Sequence, residues 1–570
     1  MKTKSIILAI VLITSFIGCD AQNEKKEANK CNAFDAKIMF LKDLLNIPAL
    51  SIVIAQRGDV IWSKAYGYSD VENSIEASLN TPFRIASITK TFSSTLIFKQ
   101  IEKGTLSLDQ PLSDFGMQIP AYDVMRVKHL KQMYKTMQSL VGQNKNTDDD
   151  VSLLELGIKT SFPKEVLLRH VMSHTAASPL GLNYKYDGNM YGKSGKVLRI
   201  SSGMSLNELL FQEICEPLKL SNTGYKVEDL KSPGAQPYEY NARTKELKKT
   251  KIRTVAAAHF GMWSSANDLS IYTQALLSGQ LISEKSLEMA FDPTVSITGR
   301  ILPYGLGWFT QVYKGKKIVW HYGWNPPFCS SLLVLIPEDQ ISMVILANTD
   351  GLSAGYNLNQ GDVLNSPIAA PFLSQFVYAN NELNLDWNAP KQEIISQVID
   401  MNDTEKDFLT KELLTIWWAQ FMANNKVKQS DLIDIYDKMT GSFPSFLPQK
   451  EPLLVLKADK DYQSLEEKFM LQNERYIDIY CVGEKDSSGE KICDYGWIKN
   501  LDTDETVWIM SIDQATHAGG VNRNIQNYKK IKLQAGNYSV HYKTDDSHSY
   551  PNWLAFPPTH HFWGICIWEN

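Results

Sequence analysis

Two pairs of strand-like segments, far apart in the chain, constrain the fold of the first two thirds of this sequence more than any other feature. Residues 50–55 and 60–68 are β-prone and flank a turn with glycine, and residues 329–336 and 341–347 flank a turn that starts with proline. Both patterns predict antiparallel hairpins. Since helical patterns dominate between them, we predict an α+β domain over residues 37–381, with one antiparallel sheet built from both ends and a helical subdomain between.

The helical pattern is clearest from Ser87 to Lys103, where apolar side chains lie mostly along one stripe and Gly104 follows. Residues 117–162 are predicted to form a mainly helical insertion that ends in an acidic loop. This insertion is either a lid that limits substrate size or a peripheral pair of packing helices. Residues 382–449 are predicted to form a helical connector, with prolines marking its end.

The last part of the chain, residues 450–570, changes to short alternating runs separated by Gly and Asn turns. This pattern predicts a β-rich, sandwich-like accessory domain. Its many aromatic side chains suggest a surface that stacks on cell-wall glycan, although a small sandwich also needs aromatics for its own core, and that interpretation is the simpler one. Its scattered Asp and His residues have no diagnostic ligand spacing, so we expect no metal site.

Composition and charge exclude several classes of protein. The 570 residues are 44% hydrophobic and 21% charged, which is an ordinary globular balance and not that of a disordered or low-complexity chain. The formal net charge of -5 gives no broad basic surface, so we expect no nucleic-acid partner.

The N-terminus has the pattern of an export signal. Two early lysines precede an apolar run, Ile6 to Ile17, of about 12 residues, which is shorter than the ~20 that span a bilayer as a helix. Gly18-Cys19 ends the run and resembles a bacterial lipoprotein signal. We therefore expect residues 1–18 to be removed, Cys19 to carry lipid as a membrane anchor, and residues 19–36 to form a tether. The expected location is the bacterial cell envelope, in the periplasm or at the outer membrane or cell surface. Plain secretion, with Cys19 as an incidental thiol, is the alternative.

The candidate nucleophile is Ser87, which with Lys90 forms a Ser-x-x-Lys motif. Side chains three positions apart share one face of a helix, so the hydroxyl and the amine can meet. A lysine can act as the base for a serine when burial or a nearby cation lowers its pKa. The motif alone is weak, since Ser488 and Lys491 repeat it in a polar loop where no function is expected.

The surrounding sequence makes the motif specific. Further segments follow in order along the chain: Pro82 to Lys90, Leu168 to Thr175 with its Ser173-His174-Thr175, Ser265 to Leu269, and Tyr304-Gly305-Leu306-Gly307-Trp308. Together they resemble the serine β-lactamase and penicillin-binding-protein group, and most of all its class C β-lactamase, D-alanyl-D-alanine carboxypeptidase and esterase branch. The resemblance covers residues 37 to about 381 and does not extend into the C-terminal third.

The resemblance implies a second catalytic element, Tyr-x-Asn, whose tyrosine helps to move the proton. Tyr186 takes the tyrosine position, and Tyr184 is a competing candidate. The asparagine that holds the substrate amide in the family would fall at Gly188, and Asn189 lies one residue late.

The third element implied by the resemblance is His-x-Gly on a strand at a sheet edge, and His321-Tyr322-Gly323 fits it. The histidine would donate to substrate or to the proton relay, and Gly323 would permit close backbone approach. By the same resemblance, the backbone N–H groups of Ser87 and Trp324 would form the oxyanion hole.

These residues predict a serine hydrolase that acts through an acyl-enzyme on a small amide, peptide or ester: a D-amino-acid peptide, a β-lactam or a carboxylic ester. No metal or organic cofactor is expected. The alternative is a catalytically silent relative that binds peptide or cell-wall glycan, and a further alternative places the main function in residues 450–570.

Overall fold

The structure is a computed structural model. It describes residues 31–119, 165–177, 180–241, 244–251, 256–297, 299, 301–356, 358–378, 415, 448, 450–485, 491–512, 515–518, 523–545 and 562–569. The predicted lipid site Cys19 lies outside the described residues, as do nearly all of the insertion at 117–162 and of the connector at 382–449. The boundaries proposed for these segments stay predictions.

One seven-stranded antiparallel sheet organises the first domain. Its strands are β1 (Ala49–Gln56), β2 (Asp59–Asp70), β3 (Ile75–Glu76), β8 (Phe309–Tyr313), β9 (Lys316–Asn325), β10 (Cys329–Ile336) and β11 (Ile341–Ala347). They lie in the order β3-β2-β1-β11-β10-β9-β8. Both predicted hairpins are present as β1–β2 and β10–β11, and β1 pairs with β11 from Leu50↔Ala347 to Gln56↔Ile341. The prediction that both ends of the domain build one sheet is therefore confirmed.

Helices and two short sheets fill the region between these ends. The helices are α1 (31–44), α2 (Thr89–Glu102), α3 (Leu168–Met172), α4 (Gly188–Tyr191), α5 (Ser194–Ser202), α6 (Leu206–Leu210), α7 (Glu216–Leu218), α8 (Ala266–Leu277), α9 (Glu284–Phe291) and α10 (Ala369–Phe372). Short 3₁₀ turns include Ala86–Ile88, directly before α2. The small sheets pair β4 (Phe83–Arg84) with β7 (Trp263–Ser264), and β5 (Tyr238–Asn241) with β6 (Glu246–Lys249).

The two faces of the seven-stranded sheet bury separate hydrophobic cores. Alternate strand residues such as Val53, Leu333 and Val344 pack against the helical subdomain, including Phe92 of α2. Their neighbours in sequence point to the opposite face and pack with residues of α1 and of the segment 352–373. Because both faces are covered at the centre of the sheet, the central strands β1, β10 and β11 are almost continuously buried and mostly apolar rather than alternating. The sheet is thus a rigid support for α2 and the turn that precedes it.

The C-terminal region is a separate β-rich unit with its own core. Its strands are β12 (Leu454–Lys457), β13 (Ser464–Leu471), β14 (Arg475–Lys485), β15 (Ile492–Asn500), β16 (Thr506–Ile509), β17 (Thr516–His517), β18 (Asn524–Leu533), β19 (Gly536–Lys543) and β20 (Gly564–Glu569). Two groups of strands, one around β14 and one around β19, meet where β14 pairs with β15. Among the described residues of this region, several aromatic side chains are buried in the core, including Tyr538, Tyr542, Trp563 and Trp568.

Among the described residues, no helix combines the length and the apolar character that crossing a membrane requires.

Candidate active site

The nucleophile candidate lies on a turn held between the sheet and the helices. Strand β4 leads into the 3₁₀ turn Ala86–Ile88, and α2 begins two residues after Ser87. Ala86 adopts a left-handed φ of 43°, which is uncommon for a residue with a side chain and marks local strain. Ser87 is half-buried whereas Lys90 is fully buried. The turn thus presents one hydroxyl at the border between the core and solvent.

Lys90 points its amine directly at this hydroxyl. Its Nζ donates to Ser87 Oγ at 2.8 Å and to the backbone oxygen of His259 at 3.2 Å. Burial lowers the pKa of Lys90 to about 7, and the carboxylate of Asp187 opposes that shift only in part. Near neutral pH a large fraction of the amine is therefore uncharged and can accept a proton. The structure brings together the two residues that the Ser-x-x-Lys motif joins in sequence.

Tyr186, the candidate for the second element, lies beside the same amine. Its ring centre is 4.8 Å from Lys90 Nζ. Burial raises the pKa of its hydroxyl well above the ordinary range, and an interaction with the Ser87 side chain offsets this in part. The buried Tyr186 hydroxyl has no hydrogen-bond partner among the described residues, so its interaction with Ser87 does not meet the geometric criteria of a hydrogen bond. The competing candidate, Tyr184, donates its hydroxyl to the Asn359 backbone oxygen at 2.9 Å. Geometry therefore favours Tyr186.

His321 is fully buried, and both of its ring nitrogens are engaged. Nδ1 lies 2.7 Å from the Tyr322 backbone oxygen, which can only accept, so Nδ1 carries the proton. Burial and the neighbouring Lys90 hold the pKa of the imidazole well below its usual range, and in the neutral ring Nε2 accepts from the Tyr304 hydroxyl at 2.9 Å. No hydrogen bond links His321 to Ser87 or Tyr186 in the described part of the chain. To donate directly to substrate or to the proton relay, as predicted, the His321 ring would have to break its hydrogen bond with the Tyr304 hydroxyl.

Gly323 lets strand β9 approach the nucleophile turn. A methyl group there would lie 2.2 Å from both the Ile85 backbone oxygen and Ser331 Oγ. Ser331 Oγ itself donates to the Ile85 oxygen at 3.1 Å, which ties β10 to the same turn. Trp324 follows on β9 with an indole that is 43% exposed. Asn189 lies exposed on α4, and the structure gives it no hydrogen bond to the other candidate residues.

Sequence reasoning gave no role to three residues that contact this site. His259 supplies the backbone oxygen for Lys90, and its ring sits where side chains at Gly188 and Gly192 would otherwise lie. Tyr304 binds His321. His174 belongs to one of the matching segments, but no spacing in the sequence indicates its contacts with the residues around Tyr186.

Comparison with known proteins defines the class. Residues 39–362 match the family model described as Beta-lactamase. This match covers more than half of the chain, so the protein belongs to the beta-lactamase family and has the hydrolase fold of that family. The match agrees with the resemblance carried by the motifs and with the span predicted for it.

Individual relatives are distant. Protein flp of Staphylococcus aureus (strain MW2) is 25% identical over 312 residues, which are 53% of this chain and 60% of that protein. Unguisins hydrolase ungD' of Aspergillus campestris (strain IBT 28561) is 22% identical over 335 residues, or 54% of this chain and 59% of that protein. This chain therefore spans about 60% of the length of the curated relatives it matches.

Among solved structures, the octameric penicillin-binding protein homologue from Pyrococcus abyssi is similar with a TM-score of 0.49 and 20% identity, covering 64% of this chain and 80% of that one. A class C beta lactamase from Rhodobacter sphaeroides has a TM-score of 0.40 and 16% identity, covering 56% and 94%.

Proposed function

We propose that this protein is a serine hydrolase that forms an acyl-enzyme on Ser87 with a small amide, peptide or ester substrate. One observation carries the proposal: a buried lysine amine, with its pKa lowered to about 7, donates to a half-buried serine hydroxyl at 2.8 Å. A nucleophile and its base within hydrogen-bond reach, with the base tuned near the working pH, is the arrangement that general base catalysis needs.

The proposed reaction has two halves. Ser87 Oγ attacks the carbonyl carbon and its proton passes to the neutral Lys90 amine, while the backbone N–H groups of Ser87 and Trp324 hold the oxyanion. The tetrahedral intermediate collapses, the bond to the leaving group breaks, and the leaving group takes a proton through Tyr186. Water then attacks the ester on Ser87 by the reverse proton route, releasing the acid and restoring the hydroxyl.

The alternative, a silent relative that binds ligand without turnover, is favoured by a different observation. Both nitrogens of His321 are engaged within the protein, and Asn189 is exposed and has no hydrogen bond to the other candidate residues among those described. Two groups expected to hold substrate are therefore not presented as the resemblance implies.

A labelling experiment separates these two proposals. The full chain is treated with a fluorescent penicillin and, separately, with a fluorophosphonate probe, alongside a Ser87→Ala variant. Covalent labelling that is lost in the variant supports the hydrolase; no labelling of the wild type by either probe supports the silent relative. Hydrolysis of D-alanyl peptides, a β-lactam and short-chain esters, compared side by side, then identifies the substrate class.

We also propose that the protein is exported and anchored in the cell envelope through lipid on Cys19, on the strength of the N-terminal pattern alone. Incorporation of an alkyne fatty acid into the wild type but not into Cys19→Ala would support the anchor. Equal incorporation into both would end it.

A further inference from the structure

His174 ends the turn after α3 and is fully enclosed by the site. It is a non-glycine residue with a left-handed φ of 57°, and it is 2% exposed. Two hydrogen bonds join it to the loop that carries Tyr186. Its backbone oxygen accepts from the Lys185 N–H at 2.9 Å, and its ring Nδ1 accepts from the Asp187 N–H at 3.1 Å. The residues immediately before and after Tyr186 therefore both donate to one residue.

The imidazole also packs on the tyrosine itself. The ring centres of His174 and Tyr186 are 4.3 Å apart, and Tyr304 and Tyr191 close other sides of the imidazole at 4.8 and 5.4 Å. The second loop residue, Asp187, in turn caps α4 by accepting from the Met190 N–H at 2.9 Å. His174 thus binds the backbone on both sides of Tyr186 and also makes the shortest ring contact with it.

The lowered pKa of His174 keeps its Nδ1 available as a hydrogen-bond acceptor. Burial, with Lys90 and His321 nearby, holds the pKa of the imidazole well below its usual range, so Nδ1 stays unprotonated at ordinary pH. The proton is then on Nε2, which is buried and has no hydrogen-bond partner among the described residues. An unpaired buried donor destabilises the folded state. An apolar side chain would avoid that cost but would offer no acceptor to Asp187.

We propose that His174 is a positioning residue that holds Tyr186 in place beside Lys90, an inference that rests on the proposed function. Among the described residues, the Tyr186 hydroxyl has no hydrogen-bond partner that meets the geometric criteria, although burial raises its pKa and an interaction with the Ser87 side chain offsets this in part. Its placement therefore depends on the backbone clamp, which comes from His174, and on ring contacts, of which the one with His174 at 4.3 Å is the shortest. Four other rings lie at 6.0–6.4 Å from that of Tyr186, those of Tyr304, Phe309, His321 and Tyr322. Misplacing a reacting group by about 1 Å can slow catalysis roughly 10²-fold.

Matched substitutions test this role. His174→Leu keeps volume but removes the acceptor, whereas His174→Asn keeps an acceptor oxygen and suits a left-handed backbone. His170→Leu is the control, because His170 Nδ1 also accepts a backbone N–H, from Leu167 at 3.1 Å. In the described part of the chain, no ring contact joins His170 to Tyr186. We expect His174→Leu to slow fluorophosphonate labelling of Ser87 roughly 10- to 100-fold. We expect His174→Asn to recover part of that rate, because it restores the acceptor but not the ring contact, and His170→Leu to lose thermal stability without losing the rate.

A double-mutant cycle distinguishes positioning from general damage. If His174 acts through Tyr186, His174→Leu slows labelling far less in a Tyr186→Phe background than in the wild type. An equal loss in both backgrounds, or a His174→Asn variant as slow as His174→Leu, overturns the inference.

A readout independent of activity separates this inference from the proposed function. With 3-fluorotyrosine at position 186, the ¹⁹F resonance should shift or broaden in His174→Leu but not in His170→Leu. Absence of labelling in the wild type would remove the hydrolase proposal alone. An unchanged ¹⁹F resonance in His174→Leu would remove the clamp alone.

Discussion

The nucleophile site and the C-terminal sheet both bury ionisable groups, but they surround them differently. At the site, burial lowers the pKa of Lys90 to about 7. The amine contacts a half-buried hydroxyl, Ser87 Oγ, and a single backbone oxygen. The amine with the lowered pKa therefore contacts a hydroxyl, Ser87 Oγ, on a residue that is only half-buried.

In the C-terminal sheet, burial raises the pKa of Glu484 to about 8 and that of Asp494 to about 7. Both carboxylates have partners inside the protein. Arg523 pairs with Glu484 at 2.9 Å, and the Trp563 indole donates to Asp494 at 2.8 Å. The comparison teaches that a shifted pKa alone does not identify a reaction site, and that the partners of the perturbed group have to be considered with it.

The largest effect that this comparison predicts is the loss of acylation rate when the Lys90 amine is removed. We expect Lys90→Met to slow acylation of Ser87 by roughly 10²–10⁴-fold, because the hydroxyl loses its base. Single-turnover labelling kinetics measure this rate. Asp494→Asn is the matched control in the other region and should leave the rate unchanged. Labelling of Lys90→Met at the wild-type rate would mean that Lys90 is not the base.

The close approach of β9 to the nucleophile turn predicts the next effect. Since a methyl group at Gly323 would meet the Ile85 oxygen and Ser331 Oγ at 2.2 Å, Gly323→Ala must displace the turn that carries Ser87. We expect a loss of about 1–3 kcal/mol in the free energy of unfolding together with slower acylation. Gly315→Ala serves as control: its φ is 81°, but nothing lies within 4 Å of the added methyl, so stability alone should fall. Unchanged acylation in Gly323→Ala would contradict the prediction.

The pH dependence of acylation follows from the lowered pKa of Lys90. Below about pH 7 the amine is protonated and cannot accept the serine proton; above it the amine is neutral. We therefore expect the labelling rate to rise about tenfold per pH unit below pH 7 and to level off above it. A probe whose own reactivity does not change with pH is needed, and Ser87→Ala gives the background. A flat profile between pH 5 and 7 would argue against Lys90 as the base.

Much of the fold and part of the site could be predicted from local sequence. The hairpins β1–β2 and β10–β11 follow from β-prone runs around short turns, and the Ser87–Lys90 contact follows from helical spacing. These features depend on residues that are close in the chain. That the two ends of the domain share one sheet was predictable as well, because strand signals lay at both ends with helical patterns between, but the pairing of β1 with β11 was not itself predicted.

The remaining site contacts depend on tertiary packing that spacing does not encode. The His259 oxygen that binds Lys90 comes from 169 residues away. The Tyr304 hydroxyl, which comes from the segment before β8, binds the Nε2 of His321 on β9, the nitrogen that would otherwise be free to contact substrate. Such contacts depend on how the loops pack against the sheet in three dimensions, which the spacing of residues in the sequence does not determine.

The smallest predicted effect concerns the C-terminal sheet, whose stability should fall as the pH rises. Carboxylates stabilised in their charged form would give the opposite trend. Because the folded-state pKa values of Glu484 and Asp494 lie above the usual carboxyl values, the folded state holds more protons than the unfolded chain between about pH 4 and 8. Its stability is therefore full below this window and falls as the pH rises through it. Amide hydrogen exchange in β14 and β15, corrected for the intrinsic rate, should show protection decreasing from pH 5 to pH 8. Glu484→Gln should reduce this slope while leaving Ser87 labelling unchanged, whereas protection that increased over the same range would show that the carboxylates are ionised and stabilised in the folded sheet.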